Sequence, residues 1–296
     1  MQCPTLSSNI FHDENEALGY AIENNLIDNT KLCINKHLME INVDNYSKYG
    51  IIWKCPLCSV KKSILNGSIF SDSKIGISKM LKIIYCWSHE YSCKHTMMEC
   101  SVSDKTVTSV FSLLRNSCFQ LVYDKEKEPI GGPGYTIEVD ETLMSRRKYN
   151  RGRMLGDMWI FGGICRETGS FFAYLVPNRK SETLLEIIQS NILPGTTIIS
   201  DLWKGYSILD SLPFPKPYEH LTVNHSINFV DPITNAHTQR IERLWRGLKE
   251  IKSRYNGIQR KDIDLHLAEF IWRKSYVKSS DPFIEALRLL SNTKFI

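Results

Sequence analysis

The sequence predicts an α/β protein whose mixed sheet lies in the second half of the chain, behind a smaller segment built on a different pattern. Three observations predict this. Residues 135–140 (YTIEVD), 158–165 (MWIFGGIC) and 170–176 (SFFAYLV) are short alternating or apolar runs of strand type. Residues 181–191 (SETLLEIIQSN) put Leu184, Leu185, Ile187 and Ile188 on one helical face, between a candidate N-cap at Ser181 and the stop Leu193-Pro194-Gly195. Residues 196–201 (TTIISD) read as a fourth strand, and from Thr238 onward the pattern is mostly helical. Three strands, a helix, another strand and then helices make an α/β domain with a mixed sheet.

The boundary before this region is 125–134 (KEKEPIGGPG), charged and then rich in Gly and Pro, which breaks both helix and strand. Upstream of it, residues 53–70 hold the one CxxC and an alternating stretch ending in GSIF. Residues 77–122 have helical periodicity in about three pieces. The last of these, 104–118, opens on Ser103 as an N-cap and follows a short turn-flanked piece at 93–100, which together form the skeleton of a helix-turn-helix.

Composition limits the function classes. At 296 residues the chain has room for about two domains. With 42% apolar and 23% charged residues it is neither disordered nor collagenous. No run approaches the ~18 apolar residues of a membrane span, and the N-terminus lacks the basic-then-apolar pattern of a secretory signal. Nine cysteines, scattered apart from the CxxC, fit a reducing compartment, with any grouped thiols on a metal rather than in disulfides. The expected location is therefore intracellular: the nucleus in a eukaryotic host, otherwise the cytoplasm. The net charge of +5 lies wholly beyond residue 130. Residues 142–153 carry five basic side chains and no acid, and residues 240–261 carry eight basic and two acidic. Such density suits a polyanion, although a solvated helix face has the same composition.

Asp140 and Asp201 each end a predicted strand, where ligands gather in open α/β sheets. The third acid is Glu242, on the helical stretch HTQRIERLWRGLKEIKSRY. Lys249 follows Glu242 by about two helical turns and shares its face. Three carboxylates from distant segments can converge on hard divalent cations, and two such ions stabilise both the attacking and the leaving oxygen of a phosphoryl displacement. Strand ends often carry an acid for no catalytic reason, so spacing leaves both readings open. Glu138 and Glu141 flank Asp140, which is preferred as nearest the strand's end.

The segments TIEVDETLMSRRKYNRGR, WIFGGICRETG, PNRKSETLLEII, PGTTIISDLWKGY and VNHSINFVDPITNAHTQRIERLWRGLK resemble, in that order, the catalytic domain of the Merlin-type DDE transposases and their ISXO-like bacterial relatives. The resemblance covers about half the chain. It implies a ribonuclease H-like core with catalytic metal, two Mg²⁺ or Mn²⁺ ions, on Asp140, Asp201 and Glu242, with Lys249 as the family's following lysine. It also implies DNA transposition: hydrolysis of a phosphodiester at a transposon end, then attack of the freed 3′-hydroxyl on target DNA. Arg146, Arg147, Lys148, Arg151 and Arg153 would bind backbone phosphate, as would Arg243, Arg246 and Lys252. Trp203, Tyr206 and Trp245 would either stack on an unpaired base or pack a core. His225 and His237 fit an ordinary hydrogen-bonded role as well as a site contact. The implied partners are double-stranded DNA, as transposon end and as target, and further copies of the same chain. A transposase descendant that binds DNA without cutting, and a nuclease on the same core, are the rival readings.

The resemblance further implies a zinc ribbon and a DNA-binding helical segment upstream. Cys55 and Cys58 make one half-site. In the other half Cys33 is present, Lys36 stands where the second cysteine is expected, and His37 follows. This leaves either a Cys₃His zinc site or a decayed ribbon. Lys105 lies at the start of the candidate recognition helix, which could equally be a packing helix. The expected organisation is a degenerate zinc ribbon in 1–72, a helix-turn-helix-like segment in 73–124, a linker at 125–134, the catalytic domain in 135–280 and a C-terminal helix or tail in 281–296.

Overall fold

The computed structural model describes residues 3–123, 128–145, 157–224, 230–231, 236–255, 258–277 and 280–293. The chain divides into two units, one formed by Met1–Asp124 with Trp272–Ile296 and the other by Lys125–Ile271. The first unit opens with α1 (Glu14–Glu23), capped by the Asp13 carboxylate, which accepts from the N–H groups of Asn15 and Glu16. Four short strands follow, β1 (Lys31–Leu32), β2 (Leu38–Val43), β3 (Ile51–Lys54) and β4 (Lys61–Ser63), antiparallel in sequence order. Three helices complete this stretch: α2 (Ile77–Ser88), α3 (Cys93–Cys100) and α4 (Asp104–Tyr123). Ser101, in the left-handed region, ends α3, and Ser103 Oγ accepts from Thr106 N–H at the start of α4. The helix runs to Tyr123, more than a turn beyond the 104–118 predicted from sequence, with Val107, Val110, Phe111, Leu114 and Cys118 on its buried face.

The second unit holds β5 (Ile130–Gly131), β6 (Thr136–Ser145), β7 (Met158–Cys165), β8 (Phe171–Val176), α5 (Ser181–Asn191), β9 (Ile192–Leu193), β10 (Thr197–Asp201), α6 (Ser207–Asp210), β11 (Glu219–Val223) and α7 (Gln239–Arg254). Its main sheet has the order β11-β10-β6-β7-β8. β6, β7 and β8 form an antiparallel meander, while β10 pairs parallel with both β6 and β11. Counted within the sheet, that is order 3-2-1-4-5 with the second strand reversed, the ribonuclease H-like arrangement. Alternation along β6 sends Ile137 and Val139 into a core with Leu184 and Ile188 of α5, and Glu138 and Asp140 to the opposite face, under α7. α5 begins one residue earlier than the sequence suggests: its N-cap is Lys180, with no side-chain cap, and Ser181 is already helical.

The helix α8 (Ile263–Tyr276) carries the chain from the second unit into the first, which then receives α9 (Pro282–Ser291). The end of α8 from Trp272 onward thus packs within the first unit, and the C-terminal stretch is built around α9. Trp272 stacks on Trp87 at 5.2 Å, Arg273 donates to the carbonyls of Trp87 and Ser88 at the end of α2, and Phe283 is fully buried against Phe11 and Tyr85. Among the described residues no helix is long and apolar enough to cross a membrane.

Candidate catalytic site and metal centre

Parallel pairing of β10 with β6 runs through Ile199 opposite Glu138. Two residues beyond that last pair stand Asp201, which ends β10 as expected, and Asp140, which lies mid-strand because β6 continues to Ser145 rather than stopping at residue 140. The two aspartates therefore fall side by side on neighbouring strands. Their charges interact: Asp140 is pushed up to about 7, mainly by burial and then by the like charges of Glu141 and Asp201, against hydrogen bonds that favour its ionised form. One of those comes from Trp245 Nε1, 3.1 Å from Asp140 Oδ2. Asp201 Oδ1 accepts from the N–H of Trp203 at 3.0 Å, which fixes the turn out of β10.

Glu242 sits in the first turn of α7, where its Oε1 accepts from Thr238 Oγ1 at 3.1 Å. Glu242, Trp245, Arg246 and Lys249 line one open cleft of 560 Å³. The lysine and glutamate therefore share a face, with Trp245 between them reaching down to Asp140. Among the described residues, the three acids do not bring one oxygen each within 4.8 Å of one another. They are spaced more widely than a single shared ion requires. Three hard oxygen donors around a buried, charge-crowded carboxyl still fit Mg²⁺ or Mn²⁺ better than any soft metal.

What holds α7 over the aspartates is Glu138, which is fully buried. Its Oε2 accepts from the N–H groups of Arg240 (2.8 Å) and Ile241 (3.1 Å), and its Oε1 from Arg166 Nε (2.8 Å). Arg166 also donates to the His237 carbonyl at 2.6 Å, and Arg240 returns a hydrogen bond to the Arg166 carbonyl. His237 lies 3.4 Å from Glu138 without hydrogen-bond geometry, and burial beside Arg166 keeps its imidazole below its ordinary value, hence neutral. Glu138 is thus a cap for the helix that presents Glu242. Glu141 points to the other face. Its Oε2 accepts from Tyr206 at 2.8 Å, while its buried Oε1 has no partner among the described residues, and burial raises its carboxyl.

Several sequence expectations change here. Tyr206 and Trp245 are 1% and 3% exposed and cannot stack on a base. They pack the core and serve Glu141 and Asp140. Arg243 and Arg246 are exposed on α7 as expected, and Lys105 is exposed at the start of α4. Arg146, Arg147, Lys148, Arg151, Arg153, His225 and the side chain of Lys252 lie outside the described residues.

In the first unit, Cys33, His37, Cys55 and Cys58 bring their ligand atoms within 4.8 Å of one another. Cys33 Sγ is 3.6 Å from Cys58 Sγ, and Cys55 Sγ is 3.7 Å from His37 Nδ1. Bond lengths of ~2.3 Å to sulfur and ~2.0 Å to nitrogen give a tetrahedral zinc edges of about 3.5–3.8 Å, so the donors fit that ion. The missing cysteine is explained by the turn. Lys36 adopts a left-handed conformation (φ 60°), its N–H bonds the Cys33 carbonyl, and the chain then swings His37 into the fourth position. Burial would raise the Cys55 thiol, but donors from Cys58, Leu57 and His37 outweigh it and bring it to about 6.

Residues 130–275 match the ISXO2-like transposase domain family. An uncharacterized transposase-like protein of Haemophilus influenzae is 30% identical over 118 residues, which is 39% of this chain and 91% of that protein. The chain belongs to the ISXO2-like transposase family. A second relative, male abnormal protein mab-31 of Caenorhabditis elegans, is 23% identical over 163 residues, but these make up only 38% of its length. Among solved structures, the catalytic core domain of BIV integrase covers 48% of this ISXO2-like chain at 17% identity and TM-score 0.32, with 84% of that core matched. The HTLV-2 integrase catalytic core domain in complex with magnesium covers 49% at 12% identity and TM-score 0.29, with 87% matched. Overlaps this loose add nothing to the strand order, which establishes the topology by itself.

Proposed function

We propose that this chain is a DDE transposase of Merlin type, cutting DNA at the ends of an element and joining the freed 3′-hydroxyl to target DNA. The observation that carries the reading is that Asp140 and Asp201 lie side by side, each two residues beyond the last β6–β10 pair, beneath a helix that presents Glu242 and Lys249 on the face of Trp245. Asp140, Asp201 and Glu242 would hold two Mg²⁺ or Mn²⁺ ions, which supply charge neutralisation and activation of the attacking oxygen. The chain's own residues do the rest by positioning. Trp245 holds Asp140 in one rotamer, Glu138 fixes the start of α7, and Lys249 faces the phosphate seated in the α7 cleft. Arg243 and Arg246, with the basic segment 146–153, bind backbone phosphates and set register without reading sequence. The Cys₃His cluster would hold a structural zinc, and α3–α4 would present Lys105 to DNA as a helix-turn-helix. Processing two ends and a target together requires at least two copies of the chain.

The test is cleavage and joining of end-containing DNA with Mg²⁺. Asp140→Asn, Asp201→Asn and Glu242→Gln should each abolish product while DNA affinity stays within about twofold. Equal loss of binding and cleavage would make these residues structural. Cleavage without joined product would favour a nuclease, and binding without either by the wild type would favour a descendant that no longer cuts.

A further inference from the structure

A second cationic cleft lies on the Asp201 side of the aspartate pair, and its charged residues have been given no part in the chemistry above. It measures 710 Å³ and is lined by Arg179, Lys180, Ser181, Glu182, Trp203 and Lys204, with Gly205 at its base. Trp203 ties it to the centre, since its N–H is the group that Asp201 accepts. Three features point to an anionic ligand. The Arg179 guanidinium is sandwiched between indoles, 3.8 Å from the ring centre of Trp159 and 4.8 Å from that of Trp203. Apart from these ring contacts it makes no hydrogen bond or ion pair within 4 Å to any described residue, although its charge acts on Glu141. Its fork of donors is therefore oriented and unspent, the condition in which arginine recognises phosphate.

The second feature is the start of α5, an eleven-residue helix with no side chain capping it. Asn178, the nearby polar side chain, bonds instead to Lys180 N–H and the Thr183 hydroxyl, leaving the first helical N–H groups to face the cleft. The third is charge. Lys180 and Lys204 are exposed on its rim against a single acid, Glu182. The two clefts thus flank Asp140 and Asp201: the α7 cleft on the Asp140 side through Trp245, and this one on the Asp201 side through Trp203.

We propose that the Arg179–Lys180–Lys204 cleft binds phosphodiesters of a DNA segment entering the centre from the Asp201 side, opposite the segment held along α7. This rests on the transposase reading above, which needs two DNA segments at one centre. The stacked arginine sits deepest and takes one phosphate against the α5 terminus, while the two lysines take its neighbours along the strand.

The test measures binding of the full chain to a fluorescein-labelled 30-base-pair duplex of arbitrary sequence, and to a single strand of equal length, by anisotropy between 50 and 200 mM KCl. Wild type should show a steep fall of affinity with salt. Combining Arg179→Ala, Lys180→Ala and Lys204→Ala should reduce the slope of log K against log[salt] by about 2 to 3, at ~0.9 per lost phosphate on duplex. Lys180→Ala with Lys204→Ala, both exposed and harmless to folding, should account for about two of those contacts. A reduced slope on duplex identifies the ligand as double-stranded, and a reduced slope on the single strand alone identifies a melted or processed end; either supports the cleft. Unchanged slopes on both probes, with wild type still binding steeply, overturn the cleft and spare the transposase reading. Absence of salt-dependent binding by wild type overturns both.

Discussion

Asp140 is held buried beside two like charges, and two predictions belong to it and its neighbour across the ladder. Its carboxyl stands at about 7 in the folded chain against 3.8 when unperturbed, mainly because burial penalises the charge. Between those values the folded chain keeps a proton that the unfolded chain has released. Stability therefore falls as pH rises through that window and levels off above it. Asp140→Asn keeps an oxygen for Trp245 Nε1 and removes the titration. In divalent-free buffer the variant should match wild type near pH 4 and exceed it at pH 8, by on the order of 4 kcal/mol at most, as read from urea midpoints. Parallel pH curves for the two proteins would contradict the burial of this carboxyl. Gly162 pairs with Asp140 in the β6–β7 ladder. A Cβ there would come within 2.7 Å of the Trp245 ring and 2.5 Å of the Phe172 carbonyl oxygen. Gly162→Ala should push the indole off Asp140, shift the tryptophan emission and cost about 1–3 kcal/mol in urea unfolding. An unaltered spectrum and midpoint would show that the strand has slack to spare.

Both units solve one problem of helix chemistry with the same device: the first N–H groups of a helix are satisfied by a carboxylate from far along the chain. In α7 it is Glu138, 102 residues before Arg240, and in α2 it is Glu14, whose oxygens accept from Ile77 and Ser78 N–H 63 and 64 residues later. Glu138 also pairs with the half-buried Arg166, so Glu138→Ala should leave that cation and two helix N–H groups without their acceptor and cost about 3 kcal/mol, while Glu138→Gln keeps an acceptor and should cost less. Equal urea midpoints for wild type and both variants would show that α7 is held by other contacts. Such devices mark the boundary of what the sequence reveals. β7 spans the residues expected of it and α5 departs only by one residue at its N-terminus, because an apolar run and a 3.6-residue period are local signals. β11 is absent from the sequence reading because EHLTV is a half-exposed edge strand with three polar residues, defined only by β10 beside it. The strand order itself is not a local property; the family resemblance implies it and periodicity does not. Asp201 is legible as a strand end, whereas Asp140 is not one, because β6 runs on to Ser145 and leaves it mid-strand. Glu138 as a cap, Tyr206 as a buried partner of Glu141, and the stacking of Arg179 between Trp159 and Trp203 are pairings between distant segments that leave no spacing to read.

At the scale of the whole molecule, the two units differ in what holds them together. The second has a five-stranded sheet with helices on both faces and a continuous apolar core. Residues 31–63 of the first have four strands of two to six residues, and their buried apolar side chains are few: Met39, Ile52, Trp53 and the clustered cysteines Cys33 and Cys55. A segment of this size rarely supports its own fold without a metal or disulfides, and every cysteine in it is a free thiol. Zinc on the Cys₃His donors would therefore contribute folding energy directly. Treatment of the purified chain with a zinc chelator should raise amide exchange across 31–63 while strands β6, β7 and β10 keep their protection, and Cys55→Ser should show the same pattern without chelator. Metal analysis should return one zinc per chain before treatment. Protection of 31–63 that survives both chelation and Cys55→Ser would mean that Trp53 and its neighbours suffice, and that the four ligands are a packed thiol cluster rather than a metal centre.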